Sequence, residues 1–237
     1  MAFRVAVFAS GSGSNAENII RYFQNKENIF FPLIISNKAD AFVHERAKNL
    51  RLPSHTFSKE DFLSGGKICG FLKENEIDAV VLAGFLLKIP QALIDAYPLK
   101  IINIHPALLP KYGGKGMYGA HVHQAVKDAG EKESGITIHY VNENYDEGNI
   151  IFQAKCTLEP SDTPDTIAEK VHKLEYEYFP KIIERLWSQE SRIESQEPRI
   201  ENRESRAESR EPRAENQESR LKTRRHKDTD FLIFLVS

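Results

Sequence analysis

The sequence predicts a Rossmann-like α/β fold, in which a mostly parallel twisted sheet has helices on both faces and an antiparallel C-terminal hairpin. Between residues 3 and 112, short apolar runs rich in Val and Ile alternate with segments of helical periodicity. This alternation is typical of βαβ units, whose crossovers are right-handed. Further along the chain, two strand-like segments flank a turn at 142–148. They predict an antiparallel hairpin added to the parallel sheet.

The individual elements follow from local patterns. Strands are predicted at 3–10, 31–37, 55–57, 77–85, 101–105, 134–141 and 149–157. Helices are predicted after the first strand, at 40–50, 59–76 and 91–97, around residues 121–123, and from 161–164 toward residue 187. Polar and apolar residues alternate over 134–141, which indicates a half-exposed strand. Pro180 lacks an N–H group, so we expect it to kink or interrupt the last helix.

The overall composition argues against a nucleic-acid or membrane partner. The 237 residues carry a net charge of −2 and 28% of them are charged, so no basic surface for nucleic acid or anionic lipid is expected. No apolar run approaches the roughly 20 residues that a membrane span needs. The two cysteines, Cys69 and Cys156, have no C-x-x-C spacing and fit a reducing compartment. We therefore expect a cytoplasmic protein.

The chain divides into a body at 1–187 and a repetitive tail at 188–237. Residues 189–202 and 203–216 are two copies of a charged segment in register, with Pro198 and Pro212 at equivalent places. A segment of this kind buries too little apolar surface to offset its chain entropy. We expect the tail to be disordered. Its apolar end at 231–236 is too short to span a bilayer.

The end of the strand at 101–105 carries the first candidate catalytic residues. This strand should stop at His105, because Pro106 cannot donate a hydrogen bond to a sheet. Asn103 and His105 are two residues apart, so their side chains point to the same face. An amide donor beside a titratable imidazole suits acyl transfer, although such a pair is more often part of a capped turn. On these residues alone, both interpretations stay open.

A Gly- and Ser-rich loop at 11–15 connects the first strand to the first helix. This arrangement presents backbone N–H groups and a helix N-terminus to an anion. The loop lacks both the G-x-G-x-x-G pattern and the Lys of a P-loop. The hydroxyl groups of Ser12 and Ser14 suit a single phosphate better than a dinucleotide. A phosphate site and a plain helix cap are about equally supported by this pattern.

Three histidines, His121, His123 and His139, could suggest a metal site. Two of them, His121 and His123, are two residues apart on a predicted helix and therefore do not share a face. No Cys or carboxylate stands at ligand spacing from them. We expect no metal.

Five motifs occur along the body in a fixed order. They are Gly11-Ser-Gly-Ser-Asn15, Ser36-Asn-Lys-Ala-Asp-Ala41, Val80-Val-Leu-Ala-Gly-Phe85, Asn103-Ile-His-Pro-Ala-Leu-Leu-Pro-Lys-Tyr112 and Asp146-Glu-Gly148. Together they resemble the phosphoribosylglycinamide formyltransferase family, whose members are folate-dependent enzymes of purine synthesis. The resemblance covers residues 1–187 and does not include the tail.

The resemblance implies a reaction and three catalytic residues. The formyl group of 10-formyltetrahydrofolate would pass to the amine of 5-phosphoribosylglycinamide in de novo purine (IMP) biosynthesis, giving formylglycinamide ribonucleotide and tetrahydrofolate. Asn103 would donate to the oxyanion, His105 would transfer protons, and Asp146 would orient or charge the imidazole. These roles match what the reaction needs, and a nearby carboxylate favours imidazolium. Without the resemblance, Asp146 would be interpreted as an ordinary turn residue.

The resemblance also implies the residues that hold the ribonucleotide. Gly13, Ser14 and Asn15 would bind its phosphate through backbone N–H groups, which favours the phosphate interpretation of this loop. Glu175 would contact the same substrate, although its position alone fits a solvated helix face as well. His139 would lie near the site, either supporting it or on the surface.

Folate would be a co-substrate that leaves after each turnover, and Asn103 would be among the residues that bind it. The segment implied to line its pteridine pocket consists of Leu86, Leu87, Lys88 and Ile89. Lys59 is the basic residue nearest to the position where the family often has an Arg, and a Lys cannot form the bidentate contact of an Arg. The loop at 113–119 is longer than in many relatives, so its contacts cannot be inferred. We expect a monomer or a homodimer.

Other functions remain as alternatives. A formyltetrahydrofolate hydrolase is expected to carry an additional N-terminal regulatory domain. A methionyl-tRNA formyltransferase is expected to carry a C-terminal RNA-binding domain and a basic face. A non-catalytic nucleotide-binding module is disfavoured because Asn103, His105 and Asp146 are all present.

Overall fold

A computed structural model of the chain describes residues 2–188. The tail that we expect to be disordered lies outside the described residues, apart from Ser188. The last helix ends at Trp187, close to the point where the repetitive composition begins.

The described part of the chain contains seven strands and seven helices. The strands are β1 (Phe3–Phe8), β2 (Ile29–Ser36), β3 (Ser54–Thr56), β4 (Ala79–Leu82), β5 (Ile101–His105), β6 (Glu133–Tyr140) and β7 (Ile150–Thr157). The helices are α1 (Ser14–Phe23), α2 (Val43–Asn49), α3 (Lys59–Ser64), α4 (Gly66–Glu74), α5 (Gln91–Ala96), α6 (Ala120–Asp128) and α7 (Pro164–Trp187).

All seven strands form one sheet in the order β3-β2-β1-β4-β5-β6-β7. Strands β1 to β5 pair in parallel, whereas β6 runs antiparallel to both β5 and β7. The predicted fold class is therefore confirmed. The chain proceeds outward from β1 to β3 and resumes at β4 on the other side of β1. Ligands of such sheets bind beyond the carboxyl ends of the strands, where the order reverses in this way.

Alternate residues of the central strands bury opposite faces of the sheet. In β1, Val5 and Val7 pack into a core that includes residues of α1, α2, α6 and α7. Ala6 and Phe8 pack into a second core with residues of α3, α4 and α5. Helices therefore cover both faces, and this explains why the central strands are almost continuously apolar.

The single helix predicted at 59–76 is wrong, because two helices occupy this region. Ser58 begins α3 by accepting a hydrogen bond from the Asp61 N–H at 3.1 Å. The backbone of Gly65 has a φ of 69°, a conformation that glycine adopts without steric cost. The chain ends α3 there and begins α4 at the next residue.

Pro180 does not interrupt the last helix, contrary to expectation, and α7 continues from Pro164 to Trp187. A proline at this position cannot donate to the carbonyl of Tyr176 one turn earlier. The side-chain amide of Asn18 on α1 donates to that carbonyl instead, at 3.0 Å. A neighbouring helix therefore satisfies the group that the proline leaves unpaired.

The prediction that β6 is half-exposed is also wrong. Six consecutive residues of this strand are buried, because the segment that follows β5 covers its polar face. The Thr137 hydroxyl donates to the Ala107 carbonyl at 2.7 Å and accepts from the Leu109 N–H at 3.0 Å. Thr137 thus pairs within the protein and not with water.

Candidate active site

A cavity of about 680 Å³ lies at the carboxyl ends of β1, β4 and β5. The Gly-rich loop after β1 forms one wall, and the residues after β4 and at the end of β5 form another. Helices α6 and α7 and the turn between β6 and β7 also contribute to the lining. The predicted site residues that line it are Gly13, Ser14, Asn15, Leu86, Asn103, His105, Asp146 and Glu175.

His105 is held between a carboxylate and a backbone carbonyl. It lies at the end of β5 and is 3% exposed. Its Nε2 lies 2.7 Å from the carbonyl oxygen of Tyr112, and its Nδ1 lies 3.5 Å from Asp146 Oδ2. A carbonyl oxygen only accepts hydrogen bonds, so Nε2 carries the proton of the neutral ring. The lone pair of that ring is then on Nδ1, where it faces Asp146.

Burial determines the charge of His105 in the free protein. Burial lowers the pKa of this imidazole, and Asp146 and the Tyr112 carbonyl raise it by less, so the pKa lies below its usual value. Asp146 does favour the imidazolium, as expected, but its effect is smaller than that of desolvation. The ring therefore starts as a neutral base near pH 7.

Asp146 is fixed in the turn between β6 and β7. Its backbone has a φ of 58°, and its Oδ2 accepts a hydrogen bond from the Gly114 N–H at 2.9 Å. Burial raises the pKa of this carboxyl, but His139, His105 and the Gly114 N–H together lower it further, and the net pKa is below its usual value. The side chain is therefore a carboxylate at neutral pH.

The amide of Asn103 is oriented by His139 on the neighbouring strand. His139 Nδ1 donates to the Tyr140 carbonyl at 2.8 Å, and its Nε2 faces Asn103 and Asp146. Asn103 Nδ2 lies 3.0 Å from this Nε2 and 3.5 Å from Asp146 Oδ1. The first contact fixes the amide, whereas the second is long for a hydrogen bond. One N–H of Asn103 can therefore turn toward a substrate oxygen. His139, 2% exposed, is a buried supporting residue.

The Gly-rich loop lies against the start of α1. Gly13 has a φ of 73°, and a Cβ on it would lie 2.4 Å from the side chain of Val43, so both conformation and space require glycine. Asn15 Nδ2 donates to Glu175 Oε2 on α7 at 2.8 Å. Glu175 is 4% exposed, so it is a buried residue and not part of a solvated helix face.

Several predicted folate residues are not among those lining the cavity. Leu87 packs with the core under α3 to α5, and Ile89 is buried in that core. Lys88 and Lys59 are exposed. Of the predicted folate-binding residues, Leu86 and Asn103 border the cavity.

Four further site residues were not predicted as such. The carbonyl of Tyr112 and the N–H of Gly114 position His105 and Asp146, and backbone groups carry no residue-type signal. The side chains of His123 and His172 line the cavity from α6 and α7. His123 precedes Val126 by three residues, a helical spacing that could have placed it on the buried face.

Among residues 2–188, no group of three or more His, Cys, Asp and Glu side chains is arranged to hold a metal ion. His121 is exposed and His123 is buried, in line with their different faces on α6.

Comparisons with known proteins identify the family of this chain. The sequence profile of the formyl transferase family matches residues 3–183. The phosphoribosylglycinamide formyltransferase of Bacillus subtilis is 38% identical over 196 residues, which are 81% of this chain and 98% of that enzyme. The chain belongs to the phosphoribosylglycinamide formyltransferase family.

Two further comparisons agree with this membership. The chloroplastic phosphoribosylglycinamide formyltransferase of Arabidopsis thaliana is 39% identical over 186 residues, 76% of this chain. The chain spans a little under two thirds, 64%, of the length of that plant enzyme. The crystal structure of the Bacillus halodurans phosphoribosylglycinamide formyltransferase superposes with a TM-score of 0.70 at 37% identity, covering 77% of this chain and 94% of that chain. Membership of this formyltransferase family confirms the predicted enzyme class and function, formyl transfer to phosphoribosylglycinamide in purine biosynthesis.

Proposed function

We propose that Asn103, His105 and Asp146 carry out the transfer of the formyl group from 10-formyltetrahydrofolate to the amine of 5-phosphoribosylglycinamide. The observation that carries this proposal is the placement of His105. Its Nε2 is held at 2.7 Å by the Tyr112 carbonyl, and its Nδ1 lies 3.5 Å from the Asp146 carboxylate. The ring is thereby a neutral base with a counter-charge already in place.

His105 acts first as a general base. As the substrate amine attacks the formyl carbon and the new C–N bond forms, Nδ1 of His105 takes the amine proton. The imidazolium that results lies beside Asp146, whose negative charge stabilises it. Asn103 Nδ2 donates to the oxygen that becomes negatively charged in the tetrahedral intermediate.

His105 then acts as a general acid. The imidazolium gives its proton to the departing N10 nitrogen, and the C–N bond to tetrahydrofolate breaks as the carbonyl reforms. His105 returns to the neutral form, so the protons balance over one turnover. His139 keeps Asn103 in orientation through the 3.0 Å contact, so little reorganisation is needed when the oxyanion forms.

Substrate binding follows from the walls of the cavity. Gly13, Ser14 and Asn15 would hold the ribonucleotide phosphate through backbone N–H groups at the start of α1, and Glu175 would contact the same substrate. The pteridine of the folate would lie on the other side, against Leu86 and the segment 87–89. Lys59 stays a weaker candidate for a folate contact, because it is exposed and does not line the cavity.

The experiment that tests this proposal follows the deformylation of 10-formylfolate, with and without phosphoribosylglycinamide. Turnover that requires the ribonucleotide supports the transferase. Deformylation in its absence would indicate a hydrolase, and the lack of turnover under both conditions would favour a binding module. Either of the last two results contradicts the proposal.

Cellular location and assembly stay predictions. We infer a cytoplasmic enzyme that works as a monomer or homodimer on small molecules, without nucleic acid or membrane. No helix among residues 2–188 is long and apolar enough to cross a membrane. Gel filtration with light scattering would distinguish the two assembly states.

A further inference from the structure

His123 is a buried polar residue without a hydrogen-bond partner at its Nδ1. It lies on α6, lines the cavity and is 4% exposed. Among residues 2–188, three buried side-chain polar atoms have no partner: Asn15 Oδ1, His123 Nδ1 and Ser134 Oγ. Two of these three atoms belong to residues that line the cavity. Because buried polar groups are nearly always paired, this concentration at one site points to a ligand.

The surroundings of His123 indicate which substrate it faces. Helix α6 packs against α7, and His123 lies close enough to His172, Glu175 and His105 for their charges to affect it. His172 Nδ1 lies 2.7 Å from Glu175 Oε2, and this same oxygen accepts from Asn15. His123 therefore lies near both the proposed base, His105, and Glu175 on the wall assigned above to the ribonucleotide.

We propose that His123 is a substrate-binding residue whose Nδ1 forms a hydrogen bond with phosphoribosylglycinamide. The proposal rests on the proposed function, because it takes the ribonucleotide as the ligand of this wall. Asn15 Oδ1 forms a second contact nearby and, being a carbonyl oxygen, requires an N–H or O–H donor of the ligand. His123 itself takes no part in proton transfer.

Burial lowers the pKa of His123, and the nearby His172 and His105 lower it further, while Glu175 raises it by less. A neutral imidazole has one N–H and one lone pair, so it can meet either a donor or an acceptor of the ligand at Nδ1. The titratable groups that face His123 are His172 and Glu175 on α7 and His105 on β5.

A binding role and a structural role predict different effects of substitution. A polar atom that is buried without a partner costs free energy in the folded protein. Replacing His123 by an apolar residue of similar size should therefore leave the fold as stable or more stable, while substrate binding becomes weaker. A histidine that only supports the fold would give the opposite pattern, with lower stability and unchanged affinity.

The experiment compares His123→Leu, His123→Asn and a control, His121→Leu, in the full-length chain. His121 lies on the same helix, is exposed and does not line the cavity. Calorimetry gives the Kd for phosphoribosylglycinamide, and steady-state kinetics give the KM for 10-formylfolate. We expect His123→Leu to raise that Kd about 5- to 10-fold, as the loss of one hydrogen bond does, with an unchanged KM for the folate and an unchanged or higher Tm.

His123→Asn keeps a polar atom close to the position of Nδ1 and should recover part of the affinity, whereas the control should bind like the wild type. On the unmodified protein, the ¹⁵N NMR signal of His123 Nδ1 should shift when phosphoribosylglycinamide is added. This second readout does not depend on whether a variant folds.

A Kd for His123→Leu within about twofold of wild type, or a His123 signal that does not shift, overturns the inference. The binding measurement needs no turnover, so the two proposals can fail separately. A wild-type chain that binds the ribonucleotide through His123 without transferring formyl groups would contradict the proposed function alone. Ribonucleotide-dependent transfer that is insensitive to His123 would contradict the inference alone.

Discussion

Asn103 on β5 and His139 on β6 form a direct contact, with Asn103 Nδ2 3.0 Å from His139 Nε2. The two residues are paired across the strands in the antiparallel register. The sheet itself therefore aligns the proposed oxyanion donor with the residue that orients it. Preorganised donors of this kind stabilise a transition state without having to rearrange.

Removal of the Asn103 amide should affect the chemical step more than binding. We expect Asn103→Ala to lower kcat about 10²- to 10³-fold, as the loss of an oxyanion donor does, with little change in the KM of either substrate. Asn144→Ala is a suitable control, because Asn144 is exposed in the turn that carries Asp146. If kcat stays within a few-fold of wild type, Asn103 is not the oxyanion donor.

The pH dependence of the reaction tests the pairing of His105 with Asp146. His105 acts as a neutral base, so the rate should fall as the pH drops through its pKa, which burial places below the usual value. Asp146 raises that pKa, and Asp146→Asn removes this contribution. In the variant we expect a lower kcat/KM, because the imidazolium loses its counter-charge, and an acid limb displaced to lower pH.

The measurement is kcat/KM between about pH 5 and pH 8, the range in which histidines titrate. The wild-type profile supplies the reference. An acid limb that stays in place or moves to higher pH in Asp146→Asn would show that Asp146 does not set the charge of His105.

Gly148 should be required for the turn that presents Asp146. A Cβ at this position would lie 1.8 Å from the Tyr140 carbonyl oxygen, so the backbone would have to move. We expect Gly148→Ala to lower the free energy of unfolding by about 2–4 kcal/mol and to reduce kcat, because the turn shifts. Urea denaturation and the formyl-transfer assay check both effects.

Gly70→Ala is the matched control for this substitution. Gly70 lies within α4, and a Cβ there meets no other atom within 4 Å. Alanine stabilises such a helix position by about 0.5–1 kcal/mol. Equal stability of the two variants would contradict the steric account of Gly148.

The stability of the protein should depend on pH through Asp162, which lies just before α7. Its Oδ2 accepts from Lys170 Nζ at 2.5 Å and from the Glu159 N–H at 2.7 Å. Lys170 above all lowers the pKa of Asp162 to about 2. A lowered folded-state pKa contributes stability above the unfolded-state pKa of roughly 3.9, and this contribution is lost as the pH falls through the folded-state value.

We expect Asp162→Asn to be less stable than wild type at pH 7. The difference should decrease between about pH 4 and about pH 2, where the wild-type carboxyl also becomes neutral. Denaturation curves at several pH values measure it. A difference that is constant down to pH 2 would contradict the ion-pair account.

The fold and the shared face of Asn103 and His105 could be predicted because they follow from local patterns. The apolar runs fixed the strand positions, and the two-residue spacing placed Asn103 and His105 on one face. The helix predictions were wrong at Gly65 and at Pro180, for opposite reasons. The first ends a helix in spite of continuous periodicity, and the second is tolerated because Asn18 on another helix replaces the missing donor.

The contacts that position the site residues could not be predicted in the same way. They depend on backbone groups of Tyr112 and Gly114 and on strand register, and both are known only in the folded chain. The burial of Glu175 could have been predicted from helical spacing, since Val171 and Phe179 lie four residues before and after it on the apolar face of α7. Only the family resemblance linked Asp146 to His105 before the structure brought them together.

The most direct test of this account is the kcat of His105→Ala for phosphoribosylglycinamide-dependent deformylation of 10-formylfolate, measured with calorimetric affinities for both substrates. The account predicts a loss of about 10²- to 10⁴-fold in kcat, the contribution typical of a general acid–base residue, with affinities close to wild type. A kcat within tenfold of wild type would contradict the assignment of His105 as the proton-transfer residue.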